Sequence, residues 1–170
     1  MFQSEGIKSI RIPTTLTEIA NGGLASSMIE RFTMTTAHPK YDIRNNSLIE
    51  TATNTLISGG TESSIVHESV TSIGHSAFLW SKIKTVDFHE GIESIGERAF
   101  YFAYPSTIIS RSMTPPAIGK ESFWIAQYNG KLKVPAEAAN AYISQWMINE
   151  LGYLGWSTAR WGVWPLEEGE

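Results

Sequence analysis

Residues 70–100, VTSIGHSAFLWSKIKTVDFHEGIESIGERAF, say nearly the same thing twice. Laying VTSIGHSAF over IESIGERAF puts Val70 on Ile92, Ile73 on Ile95, Gly74 on Gly96, Ala77 on Ala99 and Phe78 on Phe100, each time 22 residues apart. This period constrains the fold more than any other feature. A unit so short cannot bury an apolar face alone, so it must stack on copies of itself. Between the two copies, Ile83-x-x-Val86-x-Phe88 ends in the alternation of a strand with one buried face. The repeat is therefore a short strand, a turn and an Ile-Gly-x-x-Ala-Phe segment.

The same grammar recurs on both sides. Upstream, Ile7-x-x-Ile10-x-Ile12-Pro13 is followed by Leu16-x-x-Ile19-Ala20 and Leu24, and Ile29-x-x-Phe32-x-Met34 supplies a further strand. Downstream, Ile108 falls in the strand slot, Ile118-Gly119-Lys120-Glu121-Ser122-Phe123 repeats the segment, and Leu132-x-Val134-Pro135 closes the series. Four units are recognisable, with a break after the first. Stacking predicts one column of Ile73, Ile95 and Ile118 and another of Phe78, Phe100 and Phe123. Gly74, Gly96 and Gly119 are expected where the coil bends tightly, because glycine takes backbone angles that other residues resist. Small Ala77, Ala99 and Ser122 let neighbouring coils approach.

The break, residues 36–68, reads differently. Alternating runs at 42–44 and 47–51 are joined by Asn45-Asn46, a third covers 55–58, and asparagine suits tight hairpin turns. This predicts a β-meander inserted into the solenoid, with 59–64 as a flexible loop leading back to Ile65-Val66. After Pro135 the run AEAANAYISQW places Ala139, Tyr142, Ile143 and Trp146 at helical spacing. A helix there would cap the last coil. The expected organisation is one domain over 1–170: an N-terminal repeat at 1–35, the inserted meander at 36–68, repeats at 69–135, and a helical cap with a Trp-rich tail at 136–170.

A formal charge of −4 with no basic run is a poor match to a nucleic-acid backbone. No apolar run approaches the about 20 residues that a bilayer-spanning helix requires. The start MFQSEGIKSI has neither a basic leader nor an apolar core of a signal sequence, so no export signal is expected in this chain. With no cysteine there is no disulfide, thiolate ligand or cysteine nucleophile.

Chemistry-bearing residues are sparse. His38, His67, His75 and His89 form no zinc-binding helix pattern, although the repeat offset brings His67 near His89. Glu90, Glu93 and Glu97 offer carboxylates of the kind glycoside hydrolysis needs in pairs, but charges between apolar repeat positions describe a solvated face. Gly59-Gly60-Thr61-Glu62-Ser63-Ser64 lacks the lysine of a phosphate-binding loop, and Asn45-Asn46-Ser47 is formally a glycosylation sequon that reads as a turn. No catalytic, cofactor or metal site is assigned. In each strand the residue between two buried ones points outward, which makes Arg11, Thr33, Asp87, Ile109 and Lys133 the candidate interaction surface. Trp80 and Trp124, just beyond a repeat phenylalanine, are the candidate sugar-stacking residues, while Trp146, Trp156, Trp161 and Trp164 are expected to stitch the cap and tail.

The phrase V-x-x-I-G-x-x-A-F followed by I-x-x-V-x-F, most specific over 70–100, resembles the BspA-type leucine-rich repeat family. The resemblance extends from Ile7 to about Trp156, with the 41–58 meander similar to a non-repeat insertion and 114–142 similar to the closing module of such proteins from gut Bacteroidetes. It implies a mainly β solenoid with parallel strands, an inserted β-meander and a C-terminal helical cap. It further implies a non-catalytic protein, secreted or on the outer cell surface, that adheres to or binds a host or matrix protein without a cofactor. The alternative is a carbohydrate-binding accessory protein, for which clustered exposed tryptophans would speak.

Overall fold

The computed structural model describes residues 7–25, 29–61, 65–103, 105–123, 130–147 and 162–167. β1 (Ser9–Arg11) and β2 (Arg31–Thr33) pair in parallel. β3 (Tyr41–Arg44), β4 (Ser47–Glu50) and β5 (Thr55–Gly59) form an antiparallel meander. The chain then alternates between two sheets through β6 (Ser72–Ile73), β7 (Thr85–Phe88), β8 (Ser94–Ile95), β9 (Thr107–Ser110), β10 (Ala117–Ile118) and β11 (Lys131–Val134). β6, β8 and β10 line up behind β5, so the meander is one end of the first sheet, ordered β10-β8-β6-β5-β4-β3. β7, β9 and β11 make the second, closed by β12 (Gly162–Pro165). All strand pairs from β5 onward are parallel. The molecule is thus the β-solenoid that the repeat demands.

The columns form as the spacing predicts. Ile73 stands beside Ile95 and Ile95 beside Ile118, while Val86, Ile108 and Leu132 share a rung position in the other sheet. Phe78 and Phe100 stack at 4.9 Å and 8°, and Phe100 and Phe123 at 5.1 Å and 5°. Backbone rungs hold them in step: the Phe78 N–H donates to the Ala99 carbonyl and the Phe100 N–H to the Ser122 carbonyl, both at 2.7 Å. Both ends of the column are closed. At one end the floor is Gly59, where a β-carbon would stand 2.0 Å from the Phe78 ring. At the other, the buried Trp146 indole covers Phe123 at 5.4 Å.

The glycines have a different cause from the expected one. Gly74, Gly96 and Gly119 do not take a left-handed backbone; that conformation falls two residues later, on Ser76 (φ 57°), Arg98 (φ 55°) and Glu121 (φ 55°). What excludes a side chain is contact between coils. A β-carbon would lie 2.8 Å from the Leu56 carbonyl at Gly74, 2.8 Å from the His75 nitrogen at Gly96, and 2.5 Å from the Glu97 nitrogen at Gly119. Gly59 and Gly60 likewise are not a flexible loop. Both are buried, and a β-carbon on Gly60 would meet Asn46 Nδ2 and the Glu30 carbonyl. Of the expected 59–64 loop, residues 62–64 lie outside the described part.

Asn45 and Asn46, both left-handed (φ 46° and 58°), make the tight turn from β3 to β4, as two-residue hairpins require. The turn also bridges the break in the solenoid. Asn46 Oδ1 accepts from the Phe32 N–H at 3.2 Å and its Nδ2 donates to the Glu30 carbonyl. Those are the two bonds that a residue of a neighbouring parallel strand would make to Arg31, so a side-chain amide stands in for one strand. On the far side, Asn45 Nδ2 donates to the Ile65 carbonyl at 3.3 Å, and Ile65 bridges to Asp87 of β7. Under this seam Ile12, Ile29, Phe32, Tyr41 and Leu48 form a second core.

The cap follows Pro135 as Ala136–Ala138 in a 3₁₀ turn, Ala139–Tyr142 in an α turn and Ile143–Met147 in a π turn. Tyr142 and Trp146 face inward. The Tyr142 hydroxyl, 2.7 Å from Ser110 Oγ, donates to the Ser112 carbonyl at 3.0 Å, and Trp146 Nε1 donates to the Pro116 carbonyl at 2.9 Å. The tail is not all cap: Gly162–Pro165 adds a strand beyond β11. Trp156 and Trp161 lie outside the described residues.

Three outcomes are expected. Phe100→Ala empties the centre of the ring column and should cost about 3–5 kcal/mol by denaturant titration. Asn46→Asp keeps the turn but replaces the amide donor with a carboxylate facing the Glu30 carbonyl, and should cost about 1–3 kcal/mol in the same measurement. Burial raises the Tyr142 pKa above its usual value near 10, outweighing the lowering by its bond with Ser110. The raised folded value means that stability present below about pH 10 is lost as pH rises through it, so Tyr142→Phe should flatten the alkaline limb of a stability–pH profile.

Candidate interaction surface

Alternation in the second sheet sorts its residues cleanly. Val86 and Phe88, Ile108 and Ser110, and Leu132 and Val134 point into the core, which leaves their neighbours outside. Asp87 pairs in register with Ile109 and Ile109 with Lys133, so three of the five residues expected to form a surface stand in one row across the strands. The row is longer than expected. Ile65 adjoins Asp87 at one end and Trp164 adjoins Lys133 at the other, 59% and 50% exposed. A row of five rungs spans about 19 Å at the usual strand spacing.

Its charges are organised. Arg111 grips Asp87 with two bonds, Nε to Oδ1 at 2.9 Å and Nη2 to Oδ2 at 2.7 Å. The Lys131 ammonium lies 5.3 Å from the centre of the Trp164 ring, a cation–π contact. Lys133, in the row itself, adds a further charged group on the far side of Ile109 from Asp87. Outward apolar and charged side chains therefore alternate on this face.

Arg11 and Thr33 are both exposed and in register, but with each other, on the separate β1–β2 pair. The Asn45–Asn46 turn lies between that pair and the row, bonding Glu30 and Phe32 on one side and Ile65 on the other. Trp80 lies elsewhere, on the turn between β6 and β7, 52% exposed and stacked on Phe102. Trp124 lies outside the described residues. Trp164 does not stitch the tail; it is a surface residue of an edge strand. Ile65 and Trp164 escaped the sequence reading, since their place depends on register across an insertion or a long connection; Arg111, the outward residue after Ile109, was within reach of the alternation.

The remaining polar groups serve the fold. His38, buried beneath the N-terminal repeat, accepts at Nδ1 from the Lys40 and Tyr41 N–H groups at 3.0 and 3.2 Å, so its Nε2 donates to the Leu16 carbonyl at 3.0 Å. His67 and His89 close equivalent turns, each accepting at Nδ1 from the N–H two residues on, at 3.1 and 3.0 Å. Among the described residues no three His, Asp or Glu side chains gather as a metal site. A cleft of about 190 Å³ between loop residues 19–25 and Thr55 brings His75 together with Glu50, not a pair of carboxylates. Beside Arg44, the Asp42 carboxyl is held below the ordinary carboxylate range by the guanidinium hydrogen bond.

A succession of short parallel strands, stacked phenylalanines and a helical lid defines a repeat scaffold of the leucine-rich class. The pattern of the BspA type leucine rich repeat region (6 copies) matches residues 53–150, more than half of the chain, and the chain belongs to that family. A crystal structure of a leucine-rich repeat protein from Eubacterium ventriosum shares its fold, with a TM-score of 0.56 and 19% identity, over 76% of this chain and 37% of that one. Among curated proteins none matches. No helix among the described residues is long and apolar enough to cross a membrane.

Proposed function

We propose that this chain is a non-catalytic binding module that captures a protein partner on the outward face of its second sheet. The row Ile65, Asp87, Ile109, Lys133 and Trp164 carries the reading, because it sets apolar anchors and charges at regular spacing on a rigid support. A leucine-rich repeat scaffold supports protein binding in general. The finer reading is adhesion: a secreted or outer-surface protein of a bacterium engaging a host or matrix protein. The charged side chains Asp87, Arg111, Lys131 and Lys133 on this face favour a partner that presents polar and charged groups between its apolar contacts.

Changing Ile109 and Lys133 to glutamate together inverts the chemistry of the row while leaving every core column intact. The variant should melt like the wild type and lose retention on immobilised matrix proteins, and wild-type retention should weaken as salt rises. A wild type retained by no protein of the panel, or a double variant retained equally well, would count against the sheet face as the binding surface.

A further inference from the structure

Two residues beyond Phe78 and Phe100 the coil turns outward, and these two coils place Trp80 and Phe102 there. Their rings stack at 4.5 Å and 12°, Phe102 half-buried and Trp80 exposed over about half its surface. Tyr101 meets Phe102 edge-on at 4.6 Å, and the Arg98 guanidinium lies 5.5 Å from the centre of the Tyr101 ring. Together they form an aromatic ledge on the side of the solenoid.

The ledge is held against backbone preference. Trp80 and Phe102 both take left-handed angles, φ 62° and 53°, which bulky L residues disfavour. The turn does not call for an aromatic ring at either place. Its rung is a backbone bond, the Trp80 N–H to the Tyr101 carbonyl at 3.0 Å, that any residue except proline could make, and asparagine or glycine would take the angle with less strain. Strain retained at an exposed ring is the mark of a site that uses the ring.

We propose that this ledge is a saccharide site, with the open face of the Trp80 indole stacking on a neutral pyranose. Three observations select that ligand. Phe102, 12° from parallel, braces one face of the Trp80 indole and leaves the other for the apolar C–H face of a sugar ring, and the indole N–H is a donor for a hydroxyl at its rim. The adjoining Arg98 is already ion-paired, its Nε bonding Glu121 at 2.7 Å and lying 3.9 Å from Glu97, so it is not an open cation for an anionic ligand. The exposed area is also that of one ring, whereas a stable protein interface needs roughly 800 Å² on each side. The site lies on the turn between β6 and β7, not on the outward sheet row, and stands whether or not the sheet binds a protein.

Affinity electrophoresis of the full chain through gels cast with a β-glucan, an α-mannan, a xylan or starch tests it, comparing wild type with Trp80→Phe and Trp80→Asn. The wild type should be retarded in at least one gel, Trp80→Phe should keep most of that retardation, and Trp80→Asn should lose about tenfold or more in affinity. Because asparagine accepts the left-handed angle, Trp80→Asn should melt at the same temperature as the wild type or higher. Retardation in none of the gels, equal retardation of Trp80→Asn, or a clear fall in its melting temperature would each overturn the proposal, the last by making the indole a packing residue.

Discussion

Everything in this molecule depends on coils stacking at one spacing. Parallel strands stand about 4.8 Å apart, and the phenylalanine rings repeat at 4.9 and 5.1 Å. Ring contact and backbone rung are thus satisfied by the same translation, and neither has to be compromised for the other. The match also dictates what the other positions hold. Where one coil runs against the next with no room for a β-carbon, glycine is required at 74, 96 and 119. Where a column ends, something flat must close it, since an exposed ring or strand edge invites association. Gly59 and Trp146 solve that problem in opposite ways, one by being absent as a side chain and the other by being the largest side chain available.

The N-terminal pair keeps the 22-residue offset, Ile10 beside Phe32, but the antiparallel meander after it interrupts the period, and the structure shows how the solenoid tolerates it. A hairpin inserted into a parallel ladder would leave the N–H and C=O groups of β2 facing nothing, a cost of the order of 1–3 kcal/mol for each buried group. The Asn46 amide removes that cost, because it presents a donor and an acceptor with the spacing of a peptide group. Asparagine does two jobs here at once: it accepts the left-handed angle of the turn and completes the sheet. Gly60 lies against it because no larger residue leaves space for the amide.

Much of this was legible from residue spacing alone. The columns, the parallel strands, the meander with its Asn45–Asn46 turn and the inward Tyr142 and Trp146 all follow from repeated apolar positions and turn chemistry. The outward row was half legible, since alternation marks Asp87, Ile109 and Lys133 as outward but says nothing about what lies beside them in space. Ile65 joins the row by a single bridge after an insertion, and Trp164 joins through a strand 27 residues beyond the end of β11 by number. Register across such gaps is a property of the packed structure. The role of the glycines was misjudged for a related reason: a close approach between chain segments leaves the same glycine in the sequence as a tight bend does.

The separation between inward and outward positions bears on how such a chain acquires function. Core residues are tied to their neighbours above and below, so changing one of them disturbs a whole column. Outward residues reach the rung beside them, as Arg111 reaches Asp87 and Lys131 reaches Trp164. The sheet face can therefore vary one rung at a time with little effect on folding, which is the property a binding surface needs. Trp80 and Phe102 depart from this rule because they do carry a conformational cost. An outward position that keeps two stacked aromatics in a left-handed backbone is not a neutral place on the scaffold. The repeat turns put the same left-handed angle on Ser76, Arg98 and Glu121, so what sets Trp80 and Phe102 apart is the pair of stacked rings, which the backbone rung between their coils does not require.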